Sequence, residues 1–268
     1  MPLICFASPK GGVGKTTLAA NVSGELARAG YRVVALDLDP QNSLRVHFGQ
    51  PLLDPAGYAA DLIRHGSLRN ALRRTPSGPD LLPYGQIGHA AALALGTELA
   101  RDPALIAGPV RDMLADPGTA VVADTAPGPS AALSAVLPLA DVLVTVLLVD
   151  PASLSTIPAI ESGLAHGGGA GRDGFVLNQL DLRTRLGPPL ASAASRHFGD
   201  RLLGLVHRDE TVCEAVAAQR LVADYEPGSR AARDIGAVAR AIAARLAAGN
   251  ARMAAPSRPV PWPSWAAS

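Results

Sequence analysis

The side chains best suited to chemistry stand together near the start of the chain, in Ser8-Pro9-Lys10-Gly11-Gly12-Val13-Gly14-Lys15-Thr16-Thr17. An apolar run, Leu3–Ala7, precedes them, and an apolar-periodic stretch through Leu18, Val22 and Leu26 follows, so the context is strand, loop, helix. Glycines in such a loop let successive backbone N–H groups converge on phosphate oxygens, and the following helix adds the positive end of its dipole. Gly11, Gly12, Val13, Gly14, Lys15, Thr16 and Thr17 are therefore candidate phosphate-binding residues, with the Lys15 ammonium directed at the β- and γ-phosphates and the Thr16 hydroxyl at Mg²⁺. The strict pattern G-x-x-x-x-G-K-[ST] fails at Pro9, whereas the variant K-G-G-x-G-K-[ST] is met in full by Lys10–Thr16. Of the 24 basic residues only Lys10 and Lys15 are lysines, so lysine is kept for the one loop where a compact ammonium does what a planar guanidinium cannot.

Phosphoryl transfer needs a metal-linked carboxylate, a group that orients water and charge to meet the transition state. Asp124 ends an apolar run in Asp124-Thr125-Ala126-Pro127-Gly128, where a strand-end carboxylate can hold Mg²⁺ through water. Asp37 and Asp39, in Leu36-Asp37-Leu38-Asp39-Pro40-Gln41-Asn42, alternate at strand spacing and so start on one face. Asp37 joins Thr16 and Asp124 as a candidate for the magnesium shell, and Asp39 is the candidate for orienting the attacking water. The competing reading of the two is a turn with an Asx cap before the next helix.

The elements that must position these groups follow from the alternation of apolar runs and helical periods. Leu3–Ala7, Val33–Leu36, Ala120–Ala123, Val142–Val149, Gly174–Leu177 and Leu202–Val206 read as buried strands, with another at Leu81–Pro83. Helices are expected over Asp61–His65, Ser67–Arg74, Ala90–Ala100, Ala104–Leu114 and Ser229–Ala248, the last stopped by Gly249. The pattern predicts an α/β fold, a doubly wound, mainly parallel sheet flanked by helices in three layers, with ligands at the carboxyl ends of the strands. One domain is expected over 1–249, followed by a flexible tail, 250–268, whose prolines forbid a continuing helix and which carries Trp262 and Trp265.

Composition excludes several functions. A net charge of +1 implies no bulk attraction to DNA or anionic lipid. Arg69, Arg73 and Arg74 have helical spacing but read first as a solvated face. Cys5 and Cys213 lack metal spacing and read as core or half-buried thiols, consistent with the cytosol. Met1–Ala7 has no basic leader, and no apolar run is long enough to span a bilayer. The histidines, His47, His65, His89, His166, His197 and His207, read as surface or loop residues, His207 being the one best placed to touch a nucleotide. The Gly167–Gly171 cluster lacks a following Lys-Ser/Thr and reads as a connection.

The loop, the DLDPQN segment and DTAPGP together resemble the MinD/ParA group of deviant-Walker ATPases, over roughly residues 1–246. The resemblance implies ATP and Mg²⁺ as ligands and an ATP-dependent sandwich homodimer in which Lys10 reaches the partner's nucleotide, making Lys10, Lys15 and Asp39 the catalytic residues. It further implies that Asn178, in Asn178-Gln179-Leu180-Asp181, contacts the base, and that the loop with His207, Arg208, Asp209 and Glu210 packs beside it. Asn178–Asp181 lies one residue from the guanine-reading N-K-x-D pattern, and the glutamine in place of lysine favours ATP over GTP. Leu44–Gly49, Leu82–Gly85, Leu148–Ser153, Val206–Glu210 and Tyr225–Ser229 look like the cellulose-biosynthesis (BcsQ) branch. That branch implies an accessory or positioning ATPase partnered with cellulose synthase and secretion components, cytoplasmic and peripheral at the inner membrane. A partitioning ATPase that binds DNA non-specifically is the alternative, and a MinD-like membrane cycle is a third.

Overall fold

The computed structural model describes residues 2–65, 68–116, 118–165 and 172–254. In chain order its elements are β1 (Leu3–Ala7), α1 (Lys15–Arg28), β2 (Arg32–Asp37), α2 (Ala59–His65), β3 (Asp80–Leu82), α3 (His89–Arg101), α4 (Ala104–Leu114), β4 (Thr119–Asp124), α5 (Ala131–Val136), β5 (Val142–Leu148), α6 (Pro151–Leu154), α7 (Ile157–Glu161), β6 (Asp173–Leu180), α8 (Gly187–Phe198), β7 (Leu202–His207), α9 (Thr211–Ala217), α10 (Val222–Tyr225) and α11 (Arg230–Ala254). The seven strands form one sheet in the order β3-β2-β4-β1-β5-β6-β7, with every neighbouring pair parallel.

The central strands are apolar on both faces because both faces are covered. On one side α1 and α11 bury Leu18, Val22, Leu26, Ile235, Val238 and Ile242 against Ile4, Val122, Val144 and Val176. On the other, α2 to α5 pack Leu62, Leu95, Ile106 and Leu133 against Leu3, Cys5, Leu36 and Val121, and α7 and α8 cover Leu147 and Phe175, with Phe198 stacked on Phe175 at 3.9 Å. This is the three-layer architecture that the alternation implied. β1 lies between β4 and β5, the point from which the chain winds outward in both directions, and ligands of such sheets bind beyond the strand ends there.

Several expectations are corrected. The helix over Ser67–Arg74 reduces to a 3₁₀ turn at Arg69–Ala71. Arg73 instead exchanges two 2.7 Å backbone hydrogen bonds with Leu81, and Pro76 pushes the residue before it away from helical conformation. The helical face proposed for Arg69, Arg73 and Arg74 therefore does not form, and Arg74 pairs with Asp80 at 3.2 Å. The last helix is not stopped by Gly249 but runs to Ala254, since an interior glycine costs a helix only about 1 kcal/mol. His47 is buried rather than exposed, and burial pushes its imidazole pKa down to about 4. Cys213 is exposed, on α9. Residues 255–268, with both tryptophans, and the glycines at 167–171 lie outside the described residues.

Candidate functional site

Between β1 and α1 the chain folds into a cradle whose shape depends on two glycines. Gly12 and Gly14 have φ of +75° and +84°, a region that side chains disfavour. Gly14 is constrained twice, since a Cβ there would lie 2.4 Å from Asn178 Nδ2. The entry to the loop is braced by Ser8, whose hydroxyl donates to the Lys10 carbonyl at 2.8 Å and accepts from the Lys10 N–H at 3.2 Å. α1 then starts with Gly14 as its cap and no side-chain capping bond, so its first N–H groups stay available for an anion.

Lys15 is buried and its ammonium lies 2.7 Å from Asp124 Oδ1. Asp124 and Asp37 are cross-strand partners in the β2–β4 register, both wholly buried. Burial raises the pKa of Asp37 well above the carboxylate range, and the neighbouring Asp124 charge raises it further. Two N–H donors, from Asp39 and Leu44 at 3.0 Å each, oppose that shift without cancelling it. Burial likewise raises Asp124, against the pull of Lys15 and of the Thr16 hydroxyl.

Two buried carboxylates side by side, one with an Oδ2 that has no hydrogen-bond partner, are the environment that a divalent cation relieves. The residues present thus fit Mg²⁺. No cluster of three or more His, Cys, Asp or Glu forms a protein-only cage among the described residues. The ion would complete its shell from Thr16, water and phosphate oxygens, as magnesium commonly does.

Asp39 is also buried, its Oδ1 accepting from the Gln41 N–H at 2.9 Å, and it lines the same cavity as the loop. Lys10 lines the cavity from its rim, with its ammonium donating to the Ala152 carbonyl at the start of α6.

The cavity measures about 710 Å³, the size of a small-molecule site. Lys10, Gly11, Gly12, Val13, Gly14, Lys15, Thr16, Thr17, Asp39, Asn178, His207 and Arg208 all line it, and Asp37 and Asp124 lie beneath. Asn178, near the end of β6, donates from Nδ2 to the Val13 carbonyl at 2.7 Å, tying the base end of the cavity to the phosphate loop. His207 is held on both ring nitrogens. Nδ1 is 2.7 Å from Asp234 Oδ2, and Nε2 accepts from Arg230 at 2.8 Å, so neither ring nitrogen is left to bond a ligand. Asp209 caps two helices, with Oδ1 accepting from the Thr211 N–H at 3.1 Å and Oδ2 from the Ala231 N–H at 3.0 Å.

Sequence reasoning missed the rest of the wall. Val212, Cys213 and Val216 of α9 and Ile235 of α11 close the base end, and Gln41 and Pro127 flank the phosphate end. The i, i+4 spacing of Val212 and Val216 marks an amphipathic helix, but only the packing reveals that its apolar side faces a cavity. Asp181, the residue at the guanine-reading position, is not in this wall. Its carboxylate forms a fork with Arg183, at 2.9 and 2.8 Å, beside a neighbouring cavity.

The family model for "Cellulose biosynthesis protein BcsQ" matches residues 1–242. A protein of that description from Salmonella typhi is 26% identical over 88% of this chain and 91% of its own length. The chromosome-partitioning ATPase Soj of Treponema pallidum is 28% identical over 90% of this chain and 97% of its own. Among solved structures, the septum site-determining protein MinD of Pyrococcus horikoshii, complexed with Mg-ADP, superposes with a TM-score of 0.72 at 23% identity, covering 90% of this chain and 95% of that one. The chain belongs to the cellulose biosynthesis protein BcsQ family, within the MinD/ParA group of P-loop ATPases.

Proposed function

We propose that this protein binds ATP with Mg²⁺, dimerises on it and hydrolyses it, and that the cycle positions components of a cellulose synthesis and secretion complex at the inner membrane. The observation that carries the catalytic part is the convergence of Lys15, Asp39, Asp37 and Asp124 at one cavity end, with the base-sized remainder walled by α9. Lys15 exchanges Asp124 for the β- and γ-phosphates, and the N–H groups of Gly11 to Thr17 hold their oxygens. Thr16, Asp37 and Asp124 hold Mg²⁺, which supplies neutralisation of charge on the transferring phosphate. Asp39 orients the attacking water. Lys10 leaves the Ala152 carbonyl and serves the partner's nucleotide.

Adenine is favoured over guanine by Gln179, which stands where the guanine-reading pattern has a lysine, and by Asp181, which pairs with Arg183 outside the cavity wall. The cellulose assignment rests on the family match, and the Soj relative supports DNA partitioning as a second reading. Size-exclusion chromatography with ATP is the direct test. Asp39→Ala should accumulate as a dimer with hydrolysis reduced about 10²- to 10⁴-fold, and adding Lys10→Ala should return it to monomer. A monomer in the single variant would sink the sandwich cycle. Capture by cellulose-synthase components, against salt-sensitive retention on duplex DNA, separates the two pathways.

A further inference from the structure

We propose that Gln179 selects adenine, its carboxamide reading N6 and N7 of the base together. The inference rests on the nucleotide reading of the cavity and adds what tells one purine from the other.

β6 alternates regularly until its end. Phe175 and Leu177 face the layer of α7 and α8, and Val176 faces that of α1 and α11. Asn178 keeps the second direction and reaches the Val13 carbonyl. Strand parity would then send Gln179 to the α7–α8 side. It lines the nucleotide cavity beside Asn178 instead. The cause is a bulge. Leu177 pairs with Leu205 and Leu180 with His207, so two residues of β6 stand opposite Val206 alone. Gln179 takes up the extra length with a φ of +56°, left-handed backbone in which residues other than glycine are strained. Bulges re-aim side chains, and strained residues gather at binding sites.

The re-aimed side chain is also a free one. Asn178 is locked between the Val13 carbonyl and Gly14, where a Cβ would lie 2.4 Å from its Nδ2. His207 has both ring nitrogens engaged, and Asp209 caps two helices. Gln179 is exposed, and its carboxamide makes no hydrogen bond among the described residues. A carboxamide sets one donor beside one acceptor. That matches N7 and the N6 amino group of adenine, whereas guanine offers two acceptors there, N7 and O6. On the opposite edge of the base a turned carboxamide would take either purine, so selection requires the N7 edge. The wall of Val212, Val216 and Ile235 accepts a purine by shape, and Gln179 distinguishes which. Arg208 and Glu210 also line the cavity, but both extend into the neighbouring one, with Asp181 and Arg183.

Displacement of a fluorescent ATP analogue from the full-length protein by ATP, GTP and 7-deaza-ATP tests this, with thermal unfolding measured alongside. Wild type is expected to bind ATP about tenfold more tightly than either competitor, the worth of one bidentate base contact. Gln179→Gly removes the carboxamide and suits the left-handed backbone, so it should bind all three alike with Tm unchanged or raised. Wild type that binds GTP or 7-deaza-ATP as tightly as ATP would overturn the proposal, and so would a Gln179→Gly variant that keeps the preference. A preference lost in Arg208→Ala or Glu210→Gln but kept in Gln179→Gly would move base reading to those side chains. A lowered Tm in Gln179→Gly would assign Gln179 a structural part instead. Failure of wild type to bind any nucleotide would overturn the nucleotide reading itself, and this inference with it.

Discussion

The two ends of the proposed nucleotide cavity are built on opposite principles. At the phosphate end, charged groups are buried at a cost. Asp37 and Asp124 are adjacent and pushed toward protonation, Asp124 Oδ2 has no partner, and the following segment buries the Asn42 amide and His47 Nδ1 without partners. At the base end almost everything is satisfied, since His207 is held on both nitrogens, Asp209 caps two helices and Asn178 bonds the Val13 carbonyl. Buried polar atoms left unpaired destabilise a fold by about 1–3 kcal/mol each, and they persist where a ligand completes them. The phosphate end is therefore an incomplete electrostatic site, and the base end a finished surface that, on the proposed nucleotide reading, would recognise shape.

Breaking the phosphate end should produce the larger effects. Lys15→Ala removes the charged partner of both phosphate and Asp124, and nucleotide affinity should fall about 10²-fold, equivalent to about 3 kcal/mol; titration with a fluorescent ATP analogue measures it. His47 should make itself felt through pH. Its folded pKa of about 4 lies below the ordinary value, so the unfolded chain gains a proton that the fold refuses. Stability is intact above about pH 6.5 and falls by about 3 kcal/mol as pH drops to about 4, and urea unfolding of His47→Leu should show a flatter profile over that window. Asp37→Asn should lower Mg²⁺-dependent hydrolysis about 10- to 100-fold. The same change should raise the apo-protein Tm, because one of two opposed buried carboxylates is gone; a lowered Tm would deny that the pair is strained.

The base end should respond more gently. Asp234→Ala frees His207 and should weaken nucleotide binding about 3- to 10-fold through KM, leaving kcat unchanged at saturation. A fall in kcat instead would show that the two ends are not separable.

The same contrast explains what was legible in advance. Phosphate-end residues are contiguous or strand-terminal: Lys10–Thr17, Asp37–Asp39 and Asp124 carry their chemistry in local spacing, and all seven strands fall where apolar runs placed them. The base wall is assembled from residues as distant as Asn178, Val212 and Ile235, and only Asn178 stands in a local pattern that points to a ligand. The failures share this cause. Ser67–Arg74 has helical spacing, but Arg73 finds a better partner in Leu81, and His47 looks like a surface residue until Leu44 and Phe48 draw its turn into the core.

By itself the sequence determined the parallel sheet and the glycine loop between β1 and α1, and it singled out three carboxylates as candidates, because periodicity and glycine placement act over a few residues. Only the tertiary structure decided that Asp37 and Asp124 share a register position, that Asp181 is spent on Arg183, and that α9 walls the cavity. Those are facts of long-range packing, and burial and pairing arise only once distant segments meet.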